Sequence, residues 1–370
     1  MRRLKVLQLL PALESGGVER STLEIAAALV AAGHEALVVS AGGRLVPALE
    51  AAGARHVQLD TGRKSPATLL KAGALRRLME RERPDILHVR SRLPAWVALL
   101  ALRGIRPAER PRLVTTVHGL NSPSRYSRVM TRGERVVCVS GTVRDYVLEQ
   151  YPETDPSKLR VIPRGIDPAA FPRVPAPDRA ARAWAAGLFP ALAGEGPLLL
   201  LPGRGTRLKG HVDALDLLAS LRAGGLDARL WLPGSRQAGR EDYLAELEGE
   251  TARRGLGEAV VFSEATDCIA RAYAASDLVL QLSRKPEAFG RTVVEALSVG
   301  RPVLGWDHGG VGELLRELLP VGAVASFDAD ALARRARELA DTPPALPGSI
   351  PYSMEAMQRA TLAVYAELAD

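Results

Sequence analysis

The chain has 370 residues, 47% of them hydrophobic and 25% charged, with a net charge of +7. That length exceeds one ordinary core and fits two domains. The composition is that of a globular protein, not of a disordered or fibrous one. The best helical apolar run, Ala95-Trp96-Val97-Ala98-Leu99-Leu100-Ala101-Leu102, is far too short to cross a membrane. Charge is distributed unevenly: residues 1–170 hold 27 Lys and Arg against 16 Asp and Glu, and residues 171–370 hold 22 against 26. A basic first half points to an anionic partner for that half. Aromatics make up only 4% and are not interleaved with the basic residues, which argues against single-strand nucleic-acid binding; no nucleic-acid partner is expected.

The N-terminus carries Arg2, Arg3 and Lys5 before a short apolar run, but lacks a long apolar core and a cleavage site. It reads as a first strand and not as a leader. Cys138 and Cys268 read as small core fillers in a reducing compartment, which places the protein in the cytoplasm.

Short apolar strands then alternate with helical patterns. Strands are expected at 6–10, 36–40, 56–59, 86–89, 113–117, 136–139 and 159–162, with helices at 21–32, 66–81, 95–103 and 142–150. Such alternation specifies a parallel sheet covered on both faces. Ligands of these sheets bind beyond the carboxyl ends of the strands, so the loops after the strands are the ones to inspect. After the first strand, Gly16-Gly17 opens a helix and permits close backbone approach. The pair is not part of a GxGxxG fingerprint. After the fifth strand, His118 stands beside Gly119 at a position facing a ligand. Arg125, Arg128 and Arg132 are spaced to line one helix face, and together with Arg90 and Arg92 after the fourth strand they could meet anionic groups. A plain turn, a histidine satisfied by a backbone carbonyl, and a solvated basic face are the competing readings of these three features.

Pro and Gly punctuation at Pro163-Arg164-Gly165, followed by the proline-rich 172–177 segment, marks a domain boundary. Alternation restarts, with strands at 198–201, 228–232, 260–262, 278–281, 302–305 and 322–325. Arg204 and Lys209 flank a glycine-rich turn into a helix, a guanidinium and an ammonium suited to clamp a diphosphate without a metal. Glu264 follows the third strand of this half, where the loop could pack around a base. The segment from Arg284 to Leu297 follows the fourth. It puts Glu287 in a loop, Gly290 at a turn into a helix and Glu295 about one turn inside it. Two carboxylates able to hold hydroxyls, with helix N–H groups between them as an anion seat, suit a nucleotide sugar. Asp307-His308-Gly309-Gly310-Val311-Gly312-Glu313 supplies a further glycine-rich turn into a helix.

Gly16-Gly17, His118, Arg204 with Lys209-Gly210, Glu287 and Glu295 with seven residues between them, and His308-Gly309-Gly310-Val311 occur in an order that resembles the retaining glycosyltransferases of family 4. The resemblance covers nearly the whole chain. It implies an α/β GT-B fold: two doubly wound Rossmann-like domains facing across a cleft, with a C-terminal helix crossing back to the first. The expected boundaries are 1–170 for an acceptor-binding domain, 171–350 for a nucleotide-sugar domain and 351–370 for the returning helix.

By the same resemblance Arg204 and Lys209 would bind the donor diphosphate, Glu287 the donor sugar and Glu295 the ribose. Backbone at Ala288, Phe289 and Gly290 would contact sugar or phosphate, Gly16-Gly17 would cap the diphosphate, and His118 would sit by the donor sugar. Neither metal nor other cofactor is implied. No residue stands out as a covalent nucleophile, and same-face attack needs only leaving-group stabilisation and orientation. Arg164 occupies a hinge-turn position where relatives commonly carry asparagine. With Arg90, Arg125 and Arg128 it is an expected contact of an anionic glycan or glycolipid acceptor.

A UDP-hexose donor, lipopolysaccharide-core or surface-polysaccharide synthesis, and peripheral contact with an anionic inner-membrane surface complete the expectation. A nucleotide-sugar epimerase and a non-catalytic partner subunit are the alternatives. The epimerase would need no acceptor, and the partner subunit would not need to keep Arg204, Lys209, Glu287 and Glu295.

Overall fold

The computed structural model describes residues 2–14 and 16–369. The chain forms two compact units, Met1–Gly165 with Met354–Asp370, and Ile166–Ser353.

In the first unit the strands are β1 (Lys5–Leu9), β2 (Glu35–Ser40), β3 (Arg55–Gln58), β4 (Ile86–Val89), β5 (Arg112–Val117), β6 (Arg135–Cys138) and β7 (Leu159–Val161). They form one sheet of order β3-β2-β1-β4-β5-β6-β7, and every pairing is parallel. Its helices are α1 (Gly17–Ala31), α2 (Val46–Ala51), α3 (Lys71–Glu82), α4 (Arg92–Arg103) and α5 (Gly141–Gln150). In the second unit α6 (Arg179–Leu188) precedes β8 (Leu198–Leu200), α7 (His211–Ala223), β9 (Arg229–Pro233), α8 (Glu241–Arg253) and β10 (Val260–Ser263). There follow α9 (Ile269–Ala275), β11 (Leu278–Gln281), α10 (Arg291–Val299), β12 (Val303–Trp306), α11 (Gly309–Leu318), β13 (Ala323–Val324) and α12 (Ala329–Asp341). The sheet order is β10-β9-β8-β11-β12-β13, again all parallel. The last helix, α13 (Met354–Ala369), belongs to the first unit.

The strands read as continuous apolar runs because both sheet faces are covered. β4, β8, β11 and β12 are buried at every position. Leu199, Leu230 and Leu280 of the second sheet pack with Leu215, Leu218 and Leu247 from α7 and α8. In the first unit Val6, Val38, Ile86, Val114 and Val137 pack with Ile25 and Leu29 of α1 and with Met357, Val364 and Tyr365 of α13.

One buried polar group ties α13 down. His88 of β4, 1% exposed, contacts the Tyr365 hydroxyl through Nδ1 at 2.6 Å and Thr116 Oγ1 through Nε2 at 2.6 Å. Burial, and after it Arg90 and Arg164, hold this imidazole well below its ordinary pKa, so it is neutral.

In each sheet the strand order reverses once, between β1 and β4 and between β8 and β11. The loops after those four strands diverge to opposite sides and leave a crevice at the strand ends. Those loops carry Gly16-Gly17, Arg90, Arg204 with Lys209, and Glu287.

One of the two cysteines departs from expectation. Cys138 is buried at the end of β6, and burial pushes its thiol up to about 12. Cys268 caps α9 from outside its buried stripe and is exposed, so it fills no core.

Candidate active site

The second unit builds its site on close backbone approach. After β8, Gly203 N–H donates to the Pro233 carbonyl at 3.0 Å and Gly205 N–H to the Gly234 carbonyl at 3.1 Å, which seats the loop on the end of β9. The loop ends at Gly210, whose φ of +74° disfavours any side chain; a Cβ there would lie 2.0 Å from the Leu282 carbonyl oxygen. Glycine at 210 therefore brings Lys209 over the end of β11. There Lys209 Nζ meets Glu287 Oε1 at 2.5 Å, each side chain being about a quarter exposed. The hydroxyl of buried Ser283 donates to the same Glu287 oxygen at 2.5 Å and lies 3.0 Å from Gln281 Oε1. A hydroxyl has one proton, and the charged carboxylate is the stronger acceptor for it.

The Glu287 loop rests on the start of α11. Gly310 N–H donates to the Glu287 carbonyl at 2.8 Å. A Cβ on Gly310 would sit 2.6 Å from Phe289 Cα, and one on Gly309 2.7 Å from the Glu287 carbonyl oxygen. His308 locks the other end of the loop: its Nε2–H donates to the Ser283 carbonyl at 2.8 Å. Gly290, at φ +105°, then starts α10. Both helices begin at the strand ends without a side-chain cap, and at α11 the Gly310 N–H is already taken by the Glu287 carbonyl, so the start of α10 is the better anion seat.

Glu295 lies one turn into α10, where the hydroxyl of fully buried Tyr273 donates to its Oε2 at 2.9 Å and Arg291 stands 3.3 Å from its Oε1. Phe289 is buried edge-on against Tyr352, so Phe289 and Gly290 offer backbone, not side chain. Ala288 belongs to the same loop. Arg204 and Glu264 are exposed in the loops after β8 and β10.

In the first unit, His118, Arg90, Arg92 and Lys64 line a cavity of about 380 Å³ that has no acidic residue in its wall. Arg164 reaches the Nδ1 of His118. Gly16 caps α1, and a Cβ on Gly17 would meet nothing within 4 Å. Nothing within this unit demands glycine at 17; its effect is to leave room above the first N–H groups of α1.

Two sequence expectations change. Arg90 is not a surface arginine: it is 3% exposed, with Nε donating to Gln8 at 2.8 Å and Nη1 to Ser21 at 3.2 Å, while Nη2 has no partner among the described residues. Arg125 and Arg128 do not share an α-helical face, because the only helical turn here is the 3₁₀ stretch Ser127–Thr131 and Arg125 lies before it. Arg125 is exposed, and Arg128 pairs with Glu153 at 3.2 Å. The sequence reading also passed over Ser283, Gln281 and Tyr273. A serine at the mouth of β11, just before Arg284, was the available signal for the first.

Two parallel-sheet Rossmann-like domains with these loops at the strand ends define a glycosyltransferase of the GT-B class. The Glycosyltransferase Family 4 model matches residues 15–170 and the Glycosyl transferases group 1 model residues 189–349. The chain belongs to glycosyltransferase family 4.

A D-inositol 3-phosphate glycosyltransferase of Jonesia denitrificans is 36% identical over 163 residues, which is 42% of this chain and 37% of that protein. The chain thus spans less than two fifths of that relative's length. A GDP-mannose-dependent alpha-(1-6)-phosphatidylinositol dimannoside mannosyltransferase of Mycobacterium tuberculosis is 25% identical over 359 residues, 89% of this chain and 85% of that one. Among solved structures, a Rickettsia africae glycosyltransferase matches with TM-score 0.86 and 26% identity, over 100% of this chain and 99% of that one. The Anabaena protein HepE, solved with UDP and glucose, matches with TM-score 0.75 and 21% identity, over 100% and 96%.

Proposed function

We propose that this glycosyltransferase moves a hexose, with retention, from a UDP-sugar to an anionic glycan or glycolipid, without a metal. The observation that carries the reading is the Lys209–Glu287 pair at the reversal point of the second sheet, set between two uncapped helix N-termini. Lys209 and Arg204 would take the diphosphate and stabilise it as it leaves. Glu287, released from Lys209, would accept hydrogen bonds from sugar hydroxyls, and Glu295 from the ribose. The N–H groups from Ala288 to Gly290 and those above Gly16-Gly17 would add donors to sugar and phosphate, and Glu264 would border the base. On this reading the leaving phosphate takes the acceptor's proton on the face it departs from, so orientation replaces a covalent nucleophile.

The acceptor reading rests on the basic first unit, and above all on the acid-free cavity with Arg90, Arg92, Lys64 and His118; Arg125, Arg128 and Arg164 would extend it. That two relatives are named for inositol phosphate and phosphatidylinositol acceptors supports an anionic acceptor here. No helix among the described residues is long and apolar enough to cross a membrane. Leu69 and Leu70 are exposed, Leu70 by 82%, between Lys64 and Lys71, a pairing suited to peripheral contact with an anionic surface. We assign the first unit to the acceptor, the second to the donor, and the protein to surface-glycan assembly at the cytoplasmic face.

The test is incubation with UDP- and GDP-hexoses, with and without phosphorylated glycan and lipid acceptors, the product anomer being read by NMR. Transfer that requires an acceptor and keeps the anomeric configuration is the expected result. A changed sugar without acceptor would identify an epimerase. No turnover, together with no nucleotide binding, would leave the non-catalytic subunit.

A further inference from the structure

The contact between Arg164 and His118 fixes a proton. Arg164 stands in the turn after β7, and its guanidinium nitrogen Nη2 meets His118 Nδ1 at the end of β5. A guanidinium has only donors, so Nδ1 must present its lone pair. The neutral ring then carries its proton on Nε2. That atom is enclosed and has no partner among the described residues, in a ring that lines the acid-free cavity. A buried donor left unmatched is costly, and an oxygen of a ligand in the cavity is the natural acceptor for it.

We infer that Arg164 is a positioning residue: it holds His118 as the neutral Nε2–H tautomer, which makes His118 a hydrogen-bond donor to a substrate oxygen and bars it from acting as a general base. A base would need a lone pair facing the substrate, and Arg164 occupies the only one the ring has. The rest of the surroundings agrees. Arg90 after β4 and His88 in β4 disfavour an imidazolium, and Lys64 and Arg92 stand in the same cavity wall. Glu24 of α1 is the carboxylate felt by Arg90, and Tyr365 of α13 stands beside Arg90 and His88. Burial first, then Arg164, Arg90 and His88, hold the ring's pKa well below its usual range.

The role rests on the glycosyl-transfer reading only for the identity of the oxygen; the tautomer itself can be read without turnover. Full-length protein labelled with ¹⁵N-histidine, with His118 assigned by its loss in His118→Asn, reports both ring nitrogens by long-range ¹H–¹⁵N correlation. The expected wild-type spectrum has a pyridine-like Nδ1 and a pyrrole-like Nε2, unchanged from about pH 5 to pH 8. Arg164→Lys keeps a charged donor and should keep that pattern. Arg164→Met removes the donor and should mix the two tautomers.

In transfer assays Arg164→Met should lower kcat/KM roughly tenfold, the scale of one lost hydrogen bond to substrate. It should also move the acid limb of the pH profile upward, and Arg164→Lys should restore both. A wild-type Nδ1–H ring, or Arg164→Met leaving tautomer and pH profile unchanged while the rate falls uniformly, overturns the inference. If the tautomers behave as expected but no nucleotide sugar is turned over, the inference about Arg164 stands and the transfer reading fails.

Discussion

Replacing Lys209 by alanine separates the two partners of the central ion pair. In the free protein the pair is partly solvated, each side chain being about a quarter exposed, and Glu287 keeps the Ser283 hydroxyl when the lysine is gone. The cost to folding is therefore no more than about 1 kcal/mol, a fall in Tm of roughly 2–4 °C for a unit of this size. The cost to ligand binding is larger. A charged hydrogen bond to phosphate contributes about 1.5–3 kcal/mol, so the Kd of UDP or GDP should rise roughly 10- to 100-fold.

The second half of the prediction has the opposite sign. Glu287→Gln removes the negative charge that competes for Lys209, which should leave nucleoside diphosphate affinity equal or several-fold higher, on the order of 1 kcal/mol of repulsion removed. Sugar transfer by the same variant should collapse. Calorimetric titration with UDP, GDP and the free nucleosides checks both. The nucleosides lack the diphosphate and should bind wild type and Lys209→Ala alike. Unchanged diphosphate affinity in Lys209→Ala, or an equal loss in Glu287→Gln, would refute the clamp.

Tyr273→Phe leaves Glu295 without its buried donor, and nucleotide affinity should fall about fivefold, with about 1 kcal/mol lost in stability by thermal melting. Gly310→Ala drives a Cβ into Phe289 Cα at 2.6 Å, so it should cost about 1–3 kcal/mol and abolish transfer while far-UV circular dichroism stays native. Glu367, hydrogen-bonded by Arg135 and Arg160, has its carboxyl pulled down to about 2. Its folded-state pKa lies below the unfolded one, so its contribution is whole above about pH 4.5 and fades as the pH drops toward 2. The group is about a third exposed, which limits the effect to under about 1 kcal/mol. Melting curves of wild type and Glu367→Gln should therefore differ near neutral pH and converge in acid.

The architecture was legible because parallel strands covered on both faces leave plain apolar runs: all thirteen expected strands occur, each within a residue or two of its expected bounds. Helix starts were less legible. α1 begins at Gly17 and α4 at Arg92, several residues before the apolar repeat becomes readable, since a first helical turn can be polar and still bond. The glycine turns at 210, 290 and 309 could be found because a residue without Cβ leaves a mark in the sequence. Partnerships between side chains leave none. Ser283 with Glu287, Tyr273 with Glu295 and Arg164 with His118 are joined by loop geometry that periodicity does not encode. Arg90 looked like a surface cation because nothing nearby in sequence marks Gln8 and Ser21, more than sixty residues away, as its seats.

The return of α13 to the first unit has a consequence for biosynthesis. The second unit is one uninterrupted stretch, Ile166–Ser353, whereas the first needs both ends of the chain. As the polypeptide leaves the ribosome, the stretch made later holds all its own parts first. The stretch made earlier waits with Ile25, Leu29 and His88 uncovered until Met357, Val364 and Tyr365 emerge. Order of synthesis and order of completion thus run in opposite directions, and a nascent chain with residues up to 353 clear of the ribosome would display a finished second unit behind an unfinished first one.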